Sequence, residues 1–249
     1  MTRRLPHLAD GEIVLRPWSL DDTAALIAAC REPDISFWCA LPSPYGFGHA
    51  MSWIGEAAAA WSEGRDAHLA IDDAATGQVV GAIDLLGVDP VEAYGRFRFW
   101  VRAAARRRGV AGRALALLST WARDDLGLER LEVIAPVGNA AAQGVARAAG
   151  FRPEAVYRSY RQLGAHRTDS LVHALPMASW KVGPGWVDGI AEAEVEPVAE
   201  RPPTPELRLP DQPPLLEGDG LRLRPYREAD LAPLVAAIDE ETVRWLTHV

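Results

Sequence analysis

The chain has few cysteines and no long apolar run, and each scarcity excludes a class of protein. Its 249 residues contain two cysteines, Cys30 and Cys39, which fit neither a disulfide framework nor a four-ligand zinc site. No apolar stretch reaches the roughly 18 residues that cross a bilayer. The start MTRRLPHLADGE has no apolar core of a signal peptide. We therefore expect a soluble cytoplasmic protein with no metal and no membrane partner.

The net charge of -8 is unevenly distributed along the chain. Residues 1–177 hold 19 basic and 20 acidic residues, whereas residues 178–249 hold 7 and 14. The first segment is therefore nearly neutral, and it has no basic stripe interleaved with aromatic residues. Both observations argue against nucleic acid as a partner.

Residues 178–214 have the composition of an extended linker. They contain 8 of the 19 prolines, and their only large aromatic groups are two tryptophans. Such a stretch buries too little apolar surface to offset the entropy of ordering it. We therefore divide the chain into a domain at 1–177, an acidic Pro-rich linker at 178–214 and a short unit at 215–249.

An internal repeat connects the short unit with the start of the domain. A shift of 208 positions places Leu223, Arg224 and Pro225 on the motif Leu-Arg-Pro at positions 15–17, and six further identities follow. The pattern predicts a tandem arrangement whose second copy consists of a first strand and helix. Thirty-five residues supply no complete sheet, so we expect no site in that copy.

The periodicity of residues 1–177 predicts strands that alternate with helices. Ser19, or an aspartate beside it, caps the first predicted helix, and Gly77 provides the positive φ of a β-hairpin turn. Together the elements predict a mixed α/β sheet covered by helices. The predicted strands are 12–16, 67–72, 79–86, 96–101, 131–135, 155–162 and 169–174, and the predicted helices are 20–31, 47–62, 111–125 and 139–149.

The segment WVRAAARRRGVAGRAL, residues 100–115, predicts an anion site. A strand that leads through a glycine turn into a helix directs unpaired N–H groups and the positive end of the helix dipole to one point. Gly109 and Gly112 allow close backbone approach, and four arginines add charge: Arg106, Arg107, Arg108 and Arg113. The alternative interpretation is a solvated arginine cluster at an ordinary turn.

Several segments resemble the GNAT superfamily of N-acetyltransferases. Arg106-x-x-Gly109-x-Ala111 matches the signature R/Q-x-x-G-x-G/A, and NAAAQGVARAAGF at 139–151 resembles the family's Asn-led helix. The opening LRPWSLDD and the late YRSYRQ and RTDSLVHALP resemble the subgroup of ribosomal-protein alanine N-acetyltransferases. The resemblance covers residues 11–177 in the family's order.

The resemblance implies a GNAT fold in which acetyl-CoA lies between two splayed parallel strands, 96–101 and 131–135. Asn139 is implied to hold the pantetheine arm, although it suits an N-cap equally well. The residues implied to bind the cofactor are Arg106, Arg108, Gly109, Val110, Ala111, Gly112, Arg113 and Asn139.

Acetyl transfer to an amine requires a base for the amine and in some cases an acid for the leaving thiolate. Glu92 and Asp84 are the carboxylates placed on or beside the central strands, and His68 or a water chain are alternatives. Tyr157 and Tyr160 are the candidate acids; we choose Tyr160. Each of these residues also has an ordinary structural interpretation.

The expected activity is acetyl transfer from acetyl-CoA to a primary amine, either a protein N-terminus or a small molecule. A non-catalytic acyl-CoA-binding module is the alternative, because Ala142 stands where related enzymes often carry serine. Arg107 also departs from the glycine that is frequent in the turn. The acceptor pocket is expected in residues 33–50 and 87–95. Its aromatic residues favour an apolar or extended acceptor, although core packing explains them at least as well: Trp38, Tyr45, Phe47 and His49. The sequence leaves the acceptor and the oligomeric state open.

Overall fold

The computed structural model of the protein describes residues 5–176, 216–218 and 221–223. The chain divides into two compact units, residues 1–203 and residues 204–249. The first unit contains the sheet and the helices discussed below. The predicted linker and most of the predicted second copy lie outside the described residues.

The first unit is an eight-stranded mixed sheet in the order β1-β2-β3-β4-β5-β6-β8-β7. β5 and β6 are parallel to each other, and the other neighbouring strands are antiparallel. The strands are β1 Leu8–Ala9, β2 Ile13–Pro17, β3 Ala67–Asp73, β4 Val79–Asp89, β5 Tyr94–Val101, β6 Arg130–Pro136, β7 Arg152–Leu163 and β8 His166–Ala174.

Helices cover both faces of this sheet. Apolar residues repeat at helical spacing on α4, including Ala114, Leu115 and Leu118, and all three are fully buried. On the opposite face, Leu26 of α1 and Ile54 of α3 form a second buried cluster. The helices are α1 Thr23–Cys30, α2 Pro33–Cys39, α3 Phe47–Ser62, α4 Val110–Asp124 and α5 Ala140–Ala148.

The parallel pair at the centre of the sheet is only partly formed. β5 and β6 pair from Tyr94 and Arg130 as far as Phe97 and Val133. Both strands then continue without pairing to each other, β5 to Val101 and β6 to Pro136. The strands therefore splay apart at their carboxyl ends, which is the end that leads into α4 and α5.

The described part of the second unit is a hairpin of β9 Leu216–Gly218 and β10 Leu221–Leu223. It pairs Leu216 with Leu223, and Glu217 with Arg222. In the first unit Leu8 pairs with Leu15, and Ala9 with Val14. The two registers coincide after the shift of 208 positions on which the predicted repeat rests.

The mixed α/β fold predicted from the sequence is confirmed, with all seven predicted strands present. The 47–62 helix has the predicted bounds, and Gly77 has a φ of 67° at the hairpin turn. Ser19 caps a 3₁₀ turn, Leu20–Asp22, that precedes α1, so the first predicted helix is divided. β1 and α2 were not predicted.

Candidate active site

A cavity of about 670 Å³ opens where β5 and β6 splay apart. Its walls are the carboxyl ends of these strands, one face of α5, the start of α4 and part of α2. It is lined mainly by apolar side chains, with a few polar groups at its edges. A long apolar groove with a concentration of donors at one end suits a flexible thioester arm attached to a phosphate group.

The turn before α4 provides the concentrated donors. Gly109 is the N-cap of α4 in a left-handed conformation, with φ 76°, and has no side chain to accept from the first turn. The first helical bond of this turn runs from the Arg113 N–H to the Gly109 carbonyl. The N–H groups of Val110, Ala111 and Gly112 therefore precede the helical ladder. Gly109 and these three residues all line the cavity.

The four predicted arginines divide into two pairs. Arg106 and Arg107 line the cavity, and Arg106 donates to Asp34 at 2.6 Å and to the Val101 carbonyl at 3.0 Å. Arg108 and Arg113 do not line it.

Each of the second pair instead bonds a carboxylate at the end of a strand: Asp73 is the last residue of β3, and Asp10 directly follows β1. Arg108 donates to Asp73 at 2.8 Å, and Arg113 donates to Asp10 at 2.9 Å. The hydrogen bond from Arg108 lowers the pKa of the Asp73 carboxyl. Within the described chain, the side chains of Arg108 and Arg113 tie the turn to the sheet, whereas Arg106 and Arg107 belong to the cavity wall.

Arg107 has a φ of 62°, so a non-glycine residue occupies the left-handed region. This conformation costs an L-residue roughly 1 kcal/mol. The turn therefore has the backbone geometry that glycine at position 107 would give it, but with Arg107 this conformation is strained.

Asn139 performs the N-cap role that the sequence offered as one of its two interpretations. Its Oδ1 accepts a hydrogen bond of 3.0 Å from the Ala142 N–H at the start of α5. Asn139 and Ala142 also line the cavity. The amide nitrogen of Asn139 is the part of the side chain that a ligand in the groove would use.

Asp84 is buried, with 3% of its surface exposed, and belongs to a row of polar and charged side chains on three adjacent strands. The register places His68 of β3 opposite Asp84 of β4, and Asp84 opposite Arg98 of β5. The His68 Nδ1 lies 2.9 Å from Asp84 Oδ1, and Arg98 donates to Asp84 Oδ2 at 2.9 Å. Arg98 borders the cavity, whereas Asp84 and His68 do not.

The other two predicted catalytic residues lie outside the cavity wall. Glu92 is exposed in the turn before β5, and its N–H donates to Asp89 at 3.0 Å. That turn is at the paired end of β5, opposite the splay. The Tyr160 hydroxyl on β7 accepts a hydrogen bond of 3.1 Å from Arg96, and its ring lies 5.2 Å from that of Tyr157.

The aromatic residues of the predicted acceptor region differ in their relation to the cavity. Trp38 lines the cavity, Tyr45 is buried in the second core cluster, and Phe47 is largely exposed. His49 accepts from the Gly46 N–H at the start of α3. One of these four side chains therefore contributes to the wall.

Two site residues were not predicted from the sequence. Arg98 and Arg161 both line the cavity, from β5 and β7 respectively. Arg98 carries a detectable signal, because arginine alternates with phenylalanine in RFRF at 96–99 and the sheet face at 98 is therefore polar. No comparable pattern singles out Arg161.

Within residues 5–176, 216–218 and 221–223, no cluster of three or more potential metal ligands is found. Over the same residues, no helix combines the length and apolarity of a membrane span.

The family model described as acetyltransferase (GNAT) domain matches residues 12–152, which is more than half of the chain. The chain therefore belongs to the GNAT acetyltransferase family, whose members use acetyl-CoA as the acyl donor. A relative from Bacillus subtilis (strain 168), named "Putative ribosomal N-acetyltransferase YdaF", is 26% identical over 105 residues. That match covers 42% of this chain, and the chain spans 57% of the relative's length.

Solved structures of acetyltransferases share the fold. Mycobacterium smegmatis RimJ in complex with CoA-disulfide has a TM-score of 0.60 at 23% identity, with 68% of this chain and 85% of that chain covered. The Salmonella typhimurium enzyme that modifies the N-terminal serine of ribosomal protein L7/L12 has a TM-score of 0.61 at 15% identity, with 68% and 96% covered. At these identities the likeness establishes the fold alone.

Proposed function

We propose that the protein transfers an acetyl group from acetyl-CoA to a primary amine, such as a protein N-terminus or a small-molecule amine. The splay of β5 and β6 beside a glycine-capped helix carries the proposal. This arrangement combines an open groove with unpaired N–H groups at one end of the groove. Members of the family to which the chain belongs use acetyl-CoA as the acyl donor. In the reaction the amine nitrogen bonds the acetyl carbon, the carbon–sulfur bond breaks, and the proton lost by nitrogen balances the one the thiolate gains.

The phosphates would be held by the turn before α4. The backbone of residues 110–112 offers N–H groups, and Arg106 and Arg107 add charge from the cavity wall. Arg108 and Arg113 support the same turn through Asp73 and Asp10. The side chain of Asn139 would contact the pantetheine arm of acetyl-CoA, which would lie between β5 and β6.

Two of the predicted proton-transfer residues have a physical connection to the cavity region. Asp84 acts on the cavity through Arg98, because the two are joined by an ion pair of 2.8 Å. Tyr160 lies one residue from the cavity-lining Arg161, and the hydrogen bond from Arg96 fixes the position of its hydroxyl. Glu92 remains a prediction from the sequence, and a Glu92→Gln variant tests it.

Acyl-CoA binding without transfer is the second candidate function. Ala142 lies on the cavity wall, where its methyl group can donate no hydrogen bond to a thiolate. Both functions predict binding of acetyl-CoA, so a binding titration cannot separate them. The rate of acetyl transfer must be measured.

The experiment follows thiol release from acetyl-CoA in the presence of a panel of primary amines. We expect amine-dependent release by the wild-type chain and none by Gly109→Trp, whose indole would fill the cofactor turn. Gly64→Trp is the matched control, since Gly64 is exposed with φ 75°, close to the 76° of Gly109. Binding without release on any amine would favour the second candidate.

A further inference from the structure

The proposed coenzyme site leaves two cavity-lining arginines unused. Arg98 is the first residue of β5 beyond the last pair with β6, and Arg161 approaches from β7. The thiol of Cys39, another lining residue, lies within electrostatic range of both guanidinium groups. The two cations therefore approach the same region of the cavity from separate strands.

Arg161 has no counter-ion among residues 5–176. Over residues 5–176, no carboxylate lies within ion-pair distance of its half-buried guanidinium, which donates only a long bond of 3.5 Å to the Trp38 carbonyl. A partly desolvated cation gains free energy when an anion reaches it. Arg161 is thus positioned to bind a negative group inside the cavity.

Arg98 is held in a fixed orientation. Its Nε and one terminal nitrogen contact the same oxygen of Asp84 at 2.9 and 2.8 Å. His68 holds the other oxygen of Asp84. The remaining terminal nitrogen of Arg98 is the one that these contacts leave for a ligand.

The cavity wall offers little negative charge in return. Among the described lining residues, Asp34 is the one carboxylate, and it is ion-paired with Arg106 at 2.6 Å. Asp84 is paired with Arg98, and Asp66 acts on Arg98 from farther away, which leaves Arg161 as the cation of this region that has no paired carboxylate among the described residues. An acceptor with a cationic side chain would be repelled there, and an anionic one would be attracted.

We infer that Arg98 and Arg161 bind an anionic group of the acceptor, so that the preferred substrate is a primary amine carrying a carboxylate or a phosphate a few bonds from its nitrogen. The inference rests on the proposed function and specifies its substrate class. Arg98 and Arg161 are then specificity-determining residues.

The test compares substrates that differ in one charge. The full chain is assayed with the amidated peptides Asp-Ala-Ala-Ala and Asn-Ala-Ala-Ala, and with phosphoethanolamine and ethanolamine. A hydrogen-bonded ion pair predicts kcat/KM about tenfold or more higher for the charged member of a pair. Preference within the peptide pair identifies a carboxylate, and preference within the ethanolamine pair alone identifies a phosphate.

Variants of Arg161 test whether this residue causes the preference for the charged substrate. Arg161→Gln is expected to reduce kcat/KM for the charged substrate to the level of its neutral partner, and Arg161→Lys to retain part of the preference. Arg152→Gln is the control, because Arg152 is an exposed arginine at the other end of β7 and does not line the cavity. It should leave the preference intact.

Two results would overturn the inference while the proposed function stands. One is equal kcat/KM for charged and neutral substrates in both pairs, and the other is a preference that survives in Arg161→Gln. Absence of transfer to every amine would contradict the proposed function and the inference together.

Discussion

Phe97 and Val133 are the last residues through which the two parallel strands of the sheet pair. Beyond them the facing edges of β5 and β6 are separated by the cavity, and Val101 and Pro136 end the two strands. Backbone groups on those edges can pair with an extended ligand that carries amide groups. This relationship, more than any single side chain, makes the site suitable for a pantetheine arm.

Replacing Arg107 separates backbone strain from ligand charge. Arg107→Gly removes the cost of φ 62° but adds the conformational entropy of glycine to the unfolded chain, so the free energy of unfolding should rise by at most about 1 kcal/mol in urea titration. The same variant should weaken acetyl-CoA binding, because a cation leaves the cavity wall. Ala93→Gly, with φ 49° outside that wall, should gain stability with unchanged affinity. Weaker binding by both variants would contradict the role of the Arg107 charge.

Asn139 can be tested for each of its two roles. Asn139→Asp keeps a cap oxygen for the Ala142 N–H but removes the amide donor, whereas Asn139→Ala removes both. Loss of the cap should lower the free energy of unfolding by about 1 kcal/mol in the alanine variant alone. Both variants should bind acetyl-CoA more weakly in calorimetric titration. Unchanged affinity in both would restrict Asn139 to capping α5.

Removing the Asp84 charge should affect stability and turnover together. Asp84→Asn leaves Arg98 without its ion-pair partner; because Arg98 is part-exposed, we expect a loss of about 2 kcal/mol. Transfer should slow because Arg98 is no longer fixed. The double variant Asp84→Asn with Arg98→Gln should recover stability without recovering turnover, as measured by urea titration and thiol release. Wild-type turnover in Asp84→Asn would show that the row of charges is structural.

His173 gives the fold a dependence on pH. It is fully buried on β8, and burial together with the charge of Arg147 lowers its pKa below the ordinary 6.5. The unfolded chain therefore binds a proton that the folded chain excludes, and stability falls as pH drops below about 6.5, by at most about 1.4 kcal/mol per pH unit.

Between pH 7.5 and 5.5, the free energy of unfolding of the His173→Leu variant should fall less than that of the wild type. The backbone of Leu171 and Val133 lies near the ring, but neither ring nitrogen of His173 makes a hydrogen bond of normal geometry among the described residues, so leucine forfeits little. Urea midpoints at the two pH values provide the measurement. Parallel losses in both proteins would exclude His173 as the source.

The hydrophobic periodicity of the sequence was sufficient to predict most of the helices and strands of the fold. The 47–62 helix and the hairpin around Gly77 are local structures, and local patterns predict them. α2 was missed because seven residues give little periodicity, although Pro33 stands at its first turn, where proline is favoured.

The site was only partly predictable for a different reason. The glycine turn before α4 is contiguous in the chain, so its donors could be identified from spacing. Arg98 and Arg161 approach the same region from strands far apart in sequence, and a positive φ of 48° at Ser159 and a register shift between Tyr157 and Arg161 interrupt the β7 pattern. Such a juxtaposition requires the tertiary structure.

Calorimetric titration of the full chain with acetyl-CoA and with desulfo-CoA, beside Gly109→Trp and Gly64→Trp, tests the central claim most directly. We expect micromolar binding by the wild type and by Gly64→Trp, and loss of binding by Gly109→Trp. Absence of binding by a folded wild-type chain would mean that the turn before α4 is purely structural and binds no coenzyme.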